Sequence, residues 1–249
     1  MKIEPALPIQ ALFIALAFSA QAASYSGNGG SGFGGSVGSG FLDMYDSPSQ
    51  MIFTLYRGPG AFNDDCVLYL DTKPGGFTST ALFSDNGDGG RTAISGLNGG
   101  NGSRTVAIFS PGFGADYAIS IQNNFIGVYE LVAGGNNSLN YLFGQAQSGN
   151  NLAPSYSITM TAAQLSQIHL VAGDATFYVE GSLISTTAYR SNETFGPSVT
   201  VPGDSSGNAG FSNQQTFQGP LTDMMIPEPG TAAVLGLGLA GLLCFRRRN

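Results

Sequence analysis

Met51-Ile52-Phe53-Thr54-Leu55-Tyr56-Arg57, followed by Gly58-Pro59-Gly60, sets the pattern of this chain. An apolar run of strand length, rich in aromatic and branched side chains, is closed by residues that turn the backbone. The same alternation recurs outward in both directions. Further strands are expected at Phe41–Tyr45, Cys66–Asp71, Thr105–Phe109, Tyr117–Ile121, Ile126–Val132, Leu139–Phe143, Tyr156–Met160, Thr176–Glu180, Leu183–Tyr189 and Thr216–Met224. Between them lie Asp85-Asn86-Gly87-Asp88-Gly89-Gly90, Asn98-Gly99-Gly100-Asn101-Gly102 and Gly134-Gly135-Asn136-Asn137, which accept positive φ. One helical segment is expected, where Thr161 and Gln164 have capping-box spacing and Leu165 and Ile168 can point inward. The fold class is therefore all-β: an antiparallel β-sandwich of jelly-roll type with one short helix, spanning residues 41–225. Residues 23–40, dominated by Gly, Ser and Asn, read as a flexible lead-in.

Charge narrows the partners. From Ala23 to Ile226 five basic residues stand against fourteen carboxylates, a net charge of −9. Such a body is repelled by nucleic acid and by anionic membrane surfaces. Of the two cysteines only Cys66 lies in the body, so no intramolecular disulfide is available there. A buried strand position is expected for it.

Both ends carry addresses. Residues 1–22 have a weakly basic start, an apolar centre at Ala11–Phe18 and the small-x-small pattern Ala20-Gln21-Ala22, which signal peptidase reads before Ala23. At the other end, residues 226–249 hold Pro227-Glu228-Pro229, an apolar stretch over 231–245, and Arg246-Arg247-Arg248. The two prolines hold Glu228 in an extended strand. The 15-residue stretch reads as a single membrane helix of about 22 Å, which spans a core of about 30 Å only marginally. The arginine cluster stays cytoplasmic and stops translocation, which puts the body outside.

This tail resembles the PEP-CTERM sorting signal of exported Gram-negative bacterial proteins, over about a tenth of the chain. The resemblance implies processing by exosortase, a membrane-embedded cysteine peptidase. It also implies transient anchoring in the inner membrane, followed by release or transfer to the cell surface in bacteria that make extracellular polysaccharide and biofilm matrix. It implies no enzymatic activity in the chain. The ice-binding label sometimes given to such tails calls for a flat regular array of Thr, which the irregular strand spacing lacks. More loosely, Val67–Gly76, the acidic turn at Asp85–Gly90 and the aromatic strands around Tyr117 and Tyr129 resemble bacterial extracellular carbohydrate-binding β-sandwich modules. That resemblance implies a sugar-facing surface carrying Tyr69, Tyr117 or Tyr129, in a chain without tryptophan.

Catalytic constellations are thin. The sole histidine, His169, lies between Ile168 and Leu170 and reads as a half-buried strand residue with no nucleophile assigned to it. One histidine and one body cysteine cannot supply the usual zinc ligands. Asp64 with Asp65, Asp43 with Asp46, and Asp85 with Asp88 could supply the two carboxylates of a glycosidase, though solvated loop positions are the default reading for them. Asp85 and Asp88 are also the one calcium candidate, set against a plain hairpin turn, because the alternate-position spacing of a calcium loop is absent. No other cofactor is expected. The expected function is that of an exported, non-enzymatic surface or matrix protein, with a carbohydrate-binding module as the alternative and a glycoside hydrolase as the third reading.

Overall fold

The computed structural model describes residues 21–133, 138–173, 175–202 and 212–221. The strands are β1 (Gln21–Ser26), β2 (Phe41–Ser47), β3 (Gln50–Tyr56), β4 (Asp65–Asp71), β5 (Val106–Ile108), β6 (Tyr117–Ile121), β7 (Phe125–Leu131), β8 (Leu139–Ala146), β9 (Ser155–Thr161), β10 (Tyr178–Ile184), β11 (Arg190–Phe195), β12 (Ser198–Pro202) and β13 (Ser212–Phe217). Two short helices, α1 (Gly89–Ser95) and α2 (Ala162–Gln167), accompany them. The described chain is mostly β, with one helix more than the sequence predicts.

A four-stranded antiparallel sheet has the order β1-β2-β3-β9. The larger sheet runs β12-β13-β11-β10-β4-β6-β7-β8, and β5 pairs with β13 in parallel, an exception to the all-antiparallel expectation. β10 returns after β9 and α2 to lie beside β4, at the head of the meander β4-β6-β7-β8, as in a Greek key. A jelly roll combines two such keys. Among the described residues one such key is evident, and the chain also crosses between the sheets at β3–β4, β8–β9 and β9–β10.

The alternation read from the sequence is the alternation of burial. In β3, Met51, Phe53 and Leu55 are buried and the residues between them are not; Tyr156, Ile158 and Met160 of β9 repeat the pattern. These side chains meet Cys66, Leu68 and Leu70 of β4 and Ile119 of β6 in one apolar cluster, so the two sheets share a core. The larger sheet is covered on its other face as well. Val67 and Tyr69 of β4 pack with Ile94 of α1, Phe83, Phe109 and Phe217 in a second cluster. With both faces buried, β4 has no polar side, which is why Cys66–Leu70 is a continuous apolar run. The Cys66 thiol is fully buried as expected, and burial pushes its pKa up.

α2 follows the sequence closely. The Thr161 hydroxyl accepts the Gln164 N–H, the Gln164 side chain accepts the Thr161 N–H, and Leu165 and Ile168 are buried.

The Gly/Ser-rich lead-in is a correction. Residues 21–26 form β1 against β2, and Val37 is fully buried. Glu193 of β11 explains the order: its buried carboxylate accepts four backbone N–H groups, from Phe33 (2.7 Å), Gly35 (3.0 Å), Val37 (2.9 Å) and Gly38 (3.1 Å). A charged acceptor satisfying four amides ties down a segment that would otherwise be flexible. The folded unit therefore begins before Phe41.

At the far end, Leu221 bridges to Val179 of β10 through an N–H···O bond of 2.8 Å. The sorting residues Pro227, Glu228, Pro229 and Arg246–Arg248, the stretch 231–245 and the leader through Ala20 lie outside the described residues. Among the described residues no helix is long and apolar enough to cross a membrane. Of the predicted leader cleavage site, Ala22 and Ala23 sit in β1, paired with Tyr45 and Met44.

Candidate functional site

The three tyrosines expected to face sugar do not form an exposed row. Tyr69 is 0%, Tyr117 1% and Tyr129 4% exposed. Tyr69 points into the second core, where its hydroxyl donates to the Ile94 carbonyl at 2.9 Å and receives Arg190 Nη2 at 3.2 Å. Tyr117 lies in the core between the sheets, with Lys73 Nζ 5.0 Å from its ring centroid. Tyr129 lines a cavity beside α1.

That cavity, about 340 Å³, opens where α1 meets the end of the larger sheet. It is lined by Asp88, Gly89, Gly90, Arg91, Ser120, Gln122, Phe125, Tyr129 and Tyr141. Its shape comes from strand register. Ser120 of β6 faces Gly127 of β7, and Gly127 faces Gly144 of β8, so a strip of sheet without bulky side chains crosses three strands. Both glycines are required by packing. A Cβ on Gly127 would lie 2.8 Å from the Tyr129 ring, and one on Gly144 would lie 2.4 Å from the Phe125 ring. Gly90 makes room in the same way, since its Cβ would meet Ser120 Oγ at 3.0 Å and the Tyr129 hydroxyl at 3.2 Å. Tyr141, 48% exposed, stands edge-on to Tyr129 at 5.6 Å and 6.4 Å from Phe125.

The polar wall is organised around Arg91. Its Nε is 3.1 Å from Asp85 Oδ2, its Nη1 pairs with Asp88 Oδ2, and its guanidinium carbon lies 5.2 Å from the Tyr129 centroid. Asp88 also caps α1 by accepting the Arg91 N–H at 2.8 Å, and Asp85 Oδ2 accepts the Leu139 N–H at 3.1 Å. The expected hairpin turn at Asp85–Gly90 is thus a helix start. The place a calcium ion would take between Asp85 and Asp88 is filled by the arginine, which corrects that reading; no metal-holding group of His, Cys, Asp and Glu occurs among the described residues. Behind the wall, buried Asp65 accepts from Gln122 Nε2 at 2.7 Å. Burial above all, then the Asp64 and Asp88 charges, pushes its carboxyl up to about 7. Burial likewise pushes the Tyr129 phenol up to about 12.

The other carboxylate pairs do not converge. Asp43 and Asp46 are three apart on β2 and so point to opposite faces. Asp46 is spent on the Gly173 and Ala175 N–H groups at 2.8 and 3.2 Å. Asp64 and Asp65 are adjacent in sequence, but Asp65 is the one drawn under Gln122 toward the cavity. His169 is not a half-buried strand residue: it is exposed, in the turn after α2, with φ 59°, and its ring lies 6.3 Å from Tyr117.

No curated protein and no solved structure matches the chain. Residues 226–248 match the PEP-CTERM protein-sorting motif, which marks an exported protein for processing by exosortase, a membrane protein.

Proposed function

We propose that the folded body is a non-enzymatic surface or matrix protein, a β-sandwich scaffold that reaches the outside through signal-peptidase cleavage before Ala23 and exosortase handling of the tail. The observation that carries the non-enzymatic reading is the employment of its carboxylates. Glu193 holds four backbone amides, Asp46 two, and Asp116 the N–H groups of Thr72 and Lys73, each at 3.0 Å, while Asp85 and Asp88 are taken by Arg91. A glycosidase needs two carboxyl groups facing one substrate from opposite sides. In this chain these acids serve folding. The two sheets packed on a common core support the sandwich reading.

The sorting half of the reading is tested by mass spectrometry of the protein recovered from its cells, native and Glu228→Ala. The native protein is expected to have lost Arg246–Arg248 and the variant to keep them. A native product with the arginines intact, unchanged by the substitution, overturns it.

A further inference from the structure

We propose that the cavity beside α1 binds a neutral sugar ring, with Tyr141 and Phe125 packing on its C–H face and Gln122, Ser120 and the Tyr129 hydroxyl meeting its hydroxyl groups. The inference deepens the scaffold reading by giving the body a ligand, and it rests on that reading only in taking the sugar to leave unchanged.

Size comes first. About 340 Å³ lies at the small end of ligand sites, roughly 300–1,000 Å³, and suits one ring better than an extended chain segment. The walls then choose the chemistry. One side is aromatic, with the Tyr129 and Phe125 rings seated over Gly127 and Gly144 and Ser120 beside them. Gln122, Ser120 and the Tyr129 hydroxyl supply polar groups to the same space. An apolar face with a few directional polar groups matches a pyranose, whose axial C–H bonds form one face and whose hydroxyls ring the edge.

Electrostatics removes the charged alternatives. An anionic sugar would meet Asp88 in the wall, with Asp85 and Asp65 behind it, and the one cation there is already paired twice. A quaternary ammonium would want the open face of Tyr129, but Arg91 occupies it. A neutral polyol meets neither objection.

The test is chemical-shift mapping by NMR on the full exported protein, titrated separately with glucose, galactose, mannose and N-acetylglucosamine, and with glucuronate and choline as charged probes. At least one neutral sugar is expected to shift the amides of Gly90, Ser120 and Gln122. Tyr141→Ala should weaken that binding about tenfold or more. Tyr45→Ala, an exposed aromatic on the other sheet, should leave it unchanged. Silence toward all four neutral sugars overturns the proposal, as does preference for glucuronate or choline, or loss of binding in Tyr45→Ala with retention in Tyr141→Ala. Release of reducing sugar from an oligosaccharide would instead overturn the non-enzymatic reading while leaving the bound class intact.

Discussion

The carboxylate of Glu193 in β11 accepts the backbone N–H of Val37 at 2.9 Å across 156 residues of chain. With its three companion bonds, this makes one side chain the organiser of residues 33–38. Glu193→Ala strands four amides in a buried place. A loss of about 3 kcal/mol or more in urea unfolding is expected, with new proteolytic cleavage between Ser24 and Gly40. Cleavage unchanged from the native protein would refute the clamp.

Stability should depend on pH in an unusual direction. Burial pushes the carboxyls of Glu180 and Asp65 up to about 7, well above their ordinary values of 4.5 and 3.8. A raised carboxyl means that the folded state binds the proton more tightly. The stabilisation is complete below the unfolded value, and it is lost as pH rises through about 7. The melting temperature is therefore expected to fall between pH 5 and pH 8. Glu180→Gln should flatten that fall by on the order of 2 kcal/mol at the alkaline end. A profile that rises over this window contradicts it.

Gly127→Ala tests the seat of the Tyr129 ring. Its Cβ would press on the Tyr129 ring at 2.8 Å and its hydroxyl at 2.9 Å, while Arg91 lies over that ring and Tyr141 against its edge. A cost of roughly 1–3 kcal/mol is expected by denaturant titration. Gly219→Ala, where a Cβ meets nothing within 4 Å, should change stability by less than about 0.5 kcal/mol.

Thr161→Ala removes the hydroxyl that accepts the Gln164 N–H, leaving only the Gln164 side chain on the Thr161 N–H, and should cost about 1 kcal/mol, while Thr161→Ser keeps most of it. Equal stability of the two variants would count against the cap.

The strands that sequence reveals are those with one wet face. Regular alternation in β3 and β9 gives both their existence and their inward residues. β1, Gln21-Ala22-Ala23-Ser24-Tyr25-Ser26, carries little apolar signal, because its order comes from pairing with β2. Gly181 looks like a break and splits β10 into two expected strands, Thr176–Glu180 and Leu183–Tyr189. In the fold it is an interior residue, kept small because a Cβ would meet Leu68 at 2.9 Å and Phe195 at 3.1 Å. α1 starts with two poor helix formers, so local preference hides it, and the Tyr69 hydroxyl bonded to its Ile94 carbonyl helps hold it to the sheet.

The cavity was legible only in part. Tyr129 and Asp88 draw notice as an aromatic strand residue and an acidic turn residue. Phe125, Tyr141 and Gln122 do not, since their convergence depends on the β6–β7–β8 register and on a bulge after Val128. The facing pair Gly127 and Gly144 was the readable clue: glycine within two neighbouring strands marks a place where something needs the room.

The bridge from Leu221 to Val179 sets the length of the leash between body and sorting motif. Pro227 is six residues beyond Leu221, and even drawn straight that much chain reaches only about 20 Å. A folded body would therefore stay close to the Pro227-Glu228-Pro229 motif of the tail handle, leaving a cutting enzyme little headroom. Inserting a few glycines after Leu221 would then change how quickly the handle is severed without touching the recognised residues.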